Sequence, residues 1–247
     1  MIMPDAMTDA PQIDPSDRTV HAVRTQGFAL LPTLVMALER PADWDDFAAE
    51  WNTLPLDQHM GDGGRYRRRR YGAFRAAQGE IKRLPHRAHF QHRCFNPLNG
   101  GYDRWFAPLD KALAGSPVFI TIVRGVLGLV ERLGAPNARY WDVEVHQFRI
   151  EATVEHIGLP TPEGPHRDGR DWVFLMAVAR ENVADGETRL HDESGMVRWS
   201  RTLAPGEGLL IDDRRFLHST SAIKPRNPQV SARRDVLVLT FSAVLDA

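Results

Sequence analysis

PEGPHRDGRDWVFLMAV, residues 162–178, is the stretch on which the reading of this chain turns. Its second half, DWVFLMAV, is a short apolar run that follows a loop rich in Gly and Pro, the pattern of a buried strand. His166 and Asp168 stand at the mouth of that strand. In extended chain, residues i and i+2 project to the same side, so both can grip one ion. A second histidine, His218, has a matching context: GEGLLIDDRRFLHSTSAI, residues 206–223, reads as strand, turn, strand, with the histidine near the start of the second strand. Two neutral imidazoles and one carboxylate on one face suit a mononuclear non-haem iron(II), with the remaining positions open for chemistry. The competing explanation is coincidence, because the chain has ten histidines. Against it, His166 opens the sole His-x-Asp in the sequence.

Strand patterns continue outward from this stretch. Segments 140–150, 171–179, 187–191, 196–203, 208–212, 216–223 and 234–245 read as strands, mostly separated by Gly, Pro, Asp or Asn. The first half is more helical. Ser116 as N-cap and Pro117 at the first helical position open a helix whose apolar stripe is Val118, Ile122, Val126, Leu129, Val130 and Leu133, ended by Gly134. Residues 41–52 read as an amphipathic helix, and 27–31, 65–74 and 88–94 as further strands. The expected fold is mostly β with flanking helices: a double-stranded β-helix, or jelly roll, whose strand ends converge on one site.

Sixteen residues after His218, Arg234 opens the strand RDVLVLTFSAV. A buried arginine is costly unless it meets an anion, and its planar fork suits a carboxylate. A dicarboxylate chelating iron through a keto-acid end would present its far carboxylate here. Alternation puts Arg234 on one face with Val236, Val238 and Thr240, and Arg233 on the other with Asp235, Leu237 and Leu239. Both faces are apolar, so Arg233 stays open as the alternative.

These phrases, with RRDVLVLTFS, resemble the bacterial 2-oxoglutarate- and iron(II)-dependent dioxygenases that include the L-isoleucine hydroxylases and the biofilm stress and motility protein BsmA. The resemblance covers roughly residues 138–245 and extends more weakly over DGGRYRRRRYGAF and LPHRAHFQ. It implies a jelly-roll core, iron(II) at His166, Asp168 and His218, and 2-oxoglutarate at Arg234. It further implies O2 as oxidant and hydroxylation of a small molecule, most simply a free aliphatic L-amino acid. Some relatives in the wider superfamily carry Ser two residues after the arginine. Val236 stands there in this chain, so the hydroxyl assisting the far carboxylate must come from elsewhere, with Thr240 as a candidate. A different small substrate, or a non-catalytic stress or biofilm protein on the same fold, are the alternatives.

The composition fits a soluble globular protein: 43% hydrophobic, 26% charged, net charge −1. This balance argues against a dedicated nucleic-acid or membrane-surface binder. Cys94 is the single cysteine, so no disulfide can form within the chain, and no apolar run reaches membrane-spanning length. The expectation is a cytoplasmic protein with a loose tail over residues 1–18 and one domain over 19–247.

RYRRRRYGAF, residues 65–74, carries five arginines in six positions. Ion pairing with acid-rich segments is the first reading and contact with a substrate carboxylate the second, with Arg69 the named candidate. Gln147 and Arg149, in WDVEVHQFRI (141–150), are further candidate substrate contacts, although polar groups on a core strand are by default structural. His146 lacks a carboxylate at i+2. His86, His89 and His92 alternate faces in extended chain and read as scattered.

Overall fold

Two long strands, Ala138–Ala152 and Ala232–Leu245, pair antiparallel along almost their whole length and form the spine of the molecule. The computed structural model describes residues 17–31, 41–134 and 137–245. In chain order the elements are α1 (Asp17–Gln26), β1 (Phe28–Leu31), α2 (Pro41–Ala49), β2 (Arg67–Ala77), β3 (Glu80–Arg83), β4 (Ala107–Pro108), α3 (Lys111–Gly115), α4 (Pro117–Leu133), β5 (Ala138–Ala152), β6 (Trp172–Glu181), β7 (Val183–Asp185), β8 (Thr188–His191), β9 (Val197–Arg201), β10 (Gly208–Asp212), β11 (Leu217–Thr220), β12 (Ile223–Pro225) and β13 (Ala232–Leu245).

The large sheet runs β1-β10-β6-β13-β5-β2-β3, with β4 added beside β2. Facing it are a three-stranded sheet, β11-β8-β9, and a two-stranded sheet, β12-β7. The large sheet is covered on both faces, and side-chain alternation assigns the cover. Val143 and Val145 of β5, Phe174 and Met176 of β6, and Leu237, Leu239 and Phe241 of β13 pack with the buried stripe of α4, including Ile122, Val126 and Val130. The alternate residues Leu175, Ala177, Val236 and Leu209 point the other way and meet Leu190 of β8. The jelly roll expected from the strand spacing is thus present, and the helices buttress its outer face.

Local differences have identifiable causes. Residues 88–94 do not form a strand. A single bridge joins His89 to Arg104, and the loop beyond is held by side chains: Asn96 Oδ1 accepts the Asn99 N–H, and Asn99 Oδ1 accepts the Gly61 N–H. The segment 216–223 splits into β11 and β12, which join different small sheets. The helix from Pro41 tightens to a 3-10 turn over Glu50–Thr53. Ser116 precedes α4 in extended conformation without capping it through its side chain. Asp17 and Arg18, expected in the tail, already belong to α1, and residues 1–16 lie outside the described residues.

Candidate metal centre and cavity

His166 and His218 are locked together by their backbones. The His166 N–H donates to the His218 carbonyl at 3.1 Å, and the His218 N–H donates back at 2.8 Å. This isolated bridge at the edge of β11 sets the imidazole rings 4.5 Å apart. Asp168 completes the group: its Oδ1 lies 3.8 Å from His166 Nε2 and its Oδ2 3.7 Å from His218 Nε2. One ligand atom from each residue falls within 4.8 Å of the others, the spread a single cation would gather in.

The surroundings suit that task. His166 Nδ1 lies 3.0 Å from the Gly164 carbonyl, which calls for N–H there and leaves the Nε2 lone pair for a metal. Burial, reinforced by the neighbouring imidazole, holds His218 down to about 4, so this ring is neutral at neutral pH. Burial would also lower His166, but the Glu163 and Asp168 carboxylates outweigh it and raise its pKa. Burial opposes ionisation of Asp168, yet the two imidazoles keep its pKa low. Gln91 Nε2 donates to Asp168 Oδ1 at 3.2 Å. Two imidazoles and one carboxylate aimed at one point, with the buried side open, fit iron(II) by donor chemistry.

The three residues line one end of a cavity inside the barrel, together with Arg234, Val236 and Val238 of β13 and Val173 and Leu175 of β6. Alternation sends the two arginines to opposite faces. Arg233 faces outward and pairs with Glu181, whereas Arg234 is 3% exposed and turned into the cavity. Burial pushes the Arg234 guanidinium down to about 9, with Arg180 adding to the effect, and its Nε has no hydrogen-bond partner. Among the described residues it forms no ion pair, so a buried cation faces the cavity uncompensated.

Other expected site residues divide by strand parity. On β5, His146, Phe148 and Ile150 line the cavity. Gln147 and Arg149 therefore point to the helix side. Arg149 is taken there by a buried bidentate pair with Asp235, at 2.7 Å for both contacts, and neither residue reaches the cavity. Thr240 is buried but does not line the cavity. Six strand residues put its backbone about 20 Å from Arg234, too far to share a carboxylate with it. Thr220 lines the cavity instead, and its register partner Thr188 is fully buried with an unpartnered hydroxyl.

The arginine run also splits by parity. Arg68 meets Glu151 outside, while Arg67 and Arg69 point into the cavity. Arg67 pairs with buried Asp57 at 2.8 Å, and Arg69 stacks over Phe106 and Phe148. His89 and His146, separate in sequence, come together with Glu144. This cluster is not a second cation site. Arg69 donates to His146 Nδ1 and Arg104 to His89 Nδ1, each at 2.9 Å, so both rings carry their proton on Nε2. Burial and the adjacent guanidiniums hold both histidines far below their usual pKa, a field hostile to a metal ion.

Comparisons with known proteins fall on this same architecture. A sequence model described as 2OG-Fe dioxygenase matches residues 48–240. The 3(1)-hydroxy-L-isoleucine 4-dioxygenase of Pantoea ananatis (strain AJ13355) is 25% identical over 231 residues, 87% of this chain and 92% of that protein. The crystal structure of a bsmA homolog from Methylobium petroleophilum PM1 superposes with a TM-score of 0.81 at 36% identity, covering 93% of this chain and 94% of that one. IDO from Bacillus thuringiensis shares the fold, with a TM-score of 0.78 at 19% identity over 92% of this chain and 99% of its own.

Proposed function

Since the chain belongs to the 2OG-Fe dioxygenase family, we propose that His166, Asp168 and His218 hold its iron(II), that Arg234 receives the far carboxylate of 2-oxoglutarate, and that the substrate is a free amino acid. The enzyme is a dioxygenase using iron(II), 2-oxoglutarate and O2. The observation that carries the assignment is the shared cavity: three metal-type donors within 4.8 Å of one another on its wall, and an uncompensated buried guanidinium facing the same space.

When bound, the iron and 2-oxoglutarate supply an oxidative decarboxylation that is coupled to hydroxylation of a C–H bond. The chain's own residues bind, orient and exclude water. The Gly164 carbonyl fixes the His166 tautomer, and Gln91 holds the Asp168 carboxylate. Val173, Leu175, Val236 and Val238 form a dry wall between the metal end and Arg234, against which the chain of a dicarboxylate packs. Thr220, on the cavity wall, stands in for the hydroxyl that Val236 lacks.

The free amino acid as substrate class is supported by the 3(1)-hydroxy-L-isoleucine 4-dioxygenase relative. An aliphatic side chain is the first choice on the same ground. The test combines iron(II), 2-oxoglutarate and ascorbate with each amino acid in turn, following succinate and the hydroxylated product by mass spectrometry. Substrate-dependent succinate is expected, and its loss in both His166→Ala and Asp168→Ala. Turnover that survives both substitutions would overturn the ligand assignment. None of the described helices is long and apolar enough to cross a membrane.

A further inference from the structure

Beyond the metal end, the cavity wall changes character. Arg67, Arg69, His89, Arg104, His146 and Glu163 replace the valines and leucines. Within this polar half, Arg67 is neutralised by Asp57. Arg69 and Arg104 are different. Among the described residues neither forms an ion pair, and each donates instead to the Nδ1 of a neutral histidine. The exposures are 6% for Arg69 and 1% for Arg104, and the Nε of each is buried without a partner. Two guanidiniums are thus held in place on one edge and left unsatisfied on another, beside an internal space.

Glu163 is their counterpart. Its side chain is 6% exposed, its Oε1 lies 3.5 Å from His166 Nε2, and its Oε2 is buried without a partner. Two guanidiniums without an ion pair, each with an unpartnered Nε, and one under-satisfied carboxylate around a single cavity are the complement of a small molecule that carries both charges.

We propose that Arg69 and Arg104 bind the substrate's carboxylate and Glu163 its ammonium, so that the cavity selects an α-amino acid by its zwitterionic head. This deepens the reading above and rests on it. His146 and His89 are positioning residues: they accept one N–H from each arginine and so aim the remaining N–H groups inward. Two independent guanidiniums on one carboxylate give a recognition that a single neutral donor cannot.

The test is a head-group series on the iron- and 2-oxoglutarate-loaded enzyme. The twenty amino acids are screened first. The best substrate is then compared with its methyl ester, which lacks the carboxylate charge, and with its 2-hydroxy acid, which lacks the ammonium. Each analogue is expected to lose about 100-fold or more in kcat/KM, because buried groups are left unpaired. Glu163→Gln should abolish most of the discrimination against the hydroxy acid while leaving that against the ester. Arg69→Lys should raise KM for the amino acid more than it lowers kcat. His146→Gln, which keeps an acceptor, should retain affinity that His146→Leu loses. Equilibrium dialysis of the labelled amino acid against the same variants reads binding without turnover.

Esters or hydroxy acids processed within a few-fold of the amino acid would overturn the clamp while the dioxygenase reading stands. Failure of all twenty amino acids to bind or react would overturn it too, and with it the amino-acid reading. Iron- and 2-oxoglutarate-dependent succinate formation without substrate would then show that the metal assignment survives alone.

Discussion

Asp213 accepts the backbone N–H of Asp168 at 3.1 Å, so one buried carboxylate holds the loop on which another is presented to the metal position. Its second oxygen accepts the N–H groups of Gly169 and Arg170 at 2.8 and 3.0 Å. Its Oδ1 also lies 3.7 Å from His218 Nδ1. Asp213 therefore touches the supports of two of the three proposed ligands without being one. Asp213→Asn keeps the shape but turns an amide donor toward backbone donors. Iron(II) affinity should fall about 10- to 100-fold. Titration of the apo-protein with iron(II) under anaerobic conditions, followed by circular dichroism to establish folding, checks this.

Arg234 carries the second prediction. Truncating one partner of a buried charge pair typically costs about 2–5 kcal/mol. Arg234→Ala should therefore raise KM for 2-oxoglutarate about 100-fold while leaving iron(II) binding intact. Gly186 offers an indirect route. Its φ is +72°, and an added Cβ would lie 2.8 Å from Ile223 and 3.4 Å from Arg234 Cδ. Gly186→Ala should raise the same KM by a smaller factor, and steady-state kinetics with varied 2-oxoglutarate separates the two.

The Arg149–Asp235 pair predicts stability instead of activity. Its side chains are 7% and 1% exposed and share two short contacts. Removing one member strands a buried charge, so Asp235→Ala should destabilise the fold by about 3–5 kcal/mol. Replacing both residues with apolar side chains should recover much of that loss. Urea unfolding of the single and double variants tests both statements.

His146 supplies a pH dependence. Burial, with Arg69 next, holds its folded pKa well below 6.5, so the folded protein keeps this ring neutral. The unfolded chain takes up a proton below about pH 6.5, and the folded chain does so only at much lower pH. Stability from this residue is then complete above pH 6.5 and is lost as pH falls, at about 1.4 kcal/mol per unit. His146→Gln should reduce the slope of unfolding free energy against pH between 6.5 and 5 by that amount, measured by urea titrations at each pH.

How much of this was readable beforehand depended on the range of the interaction. The spacing of His166 and Asp168, the strand around His218 and the stripe of α4 are local patterns, and local geometry turns them directly into elements. The parity of β13 separated Arg233 from Arg234 only once one face was known to lie against α4 and the other against the small sheets. Gln147 and Arg149 lie off the cavity for the same reason, since alternation says which residues share a face and not which face meets the cavity, whereas Thr240 shares the cavity face but lies too far along the strand.

The linear order thus determined the strand periods, the ligand types and their spacing, because side-chain direction in extended chain follows from backbone stereochemistry. Only the tertiary structure decided that His89 and His146, far apart in the chain, would each hold an arginine, and that Glu163 would line the same cavity. Those relations depend on how sheet, loop and cavity close on one another. Closure is set by the packing of both sheet faces at once, which no single segment encodes.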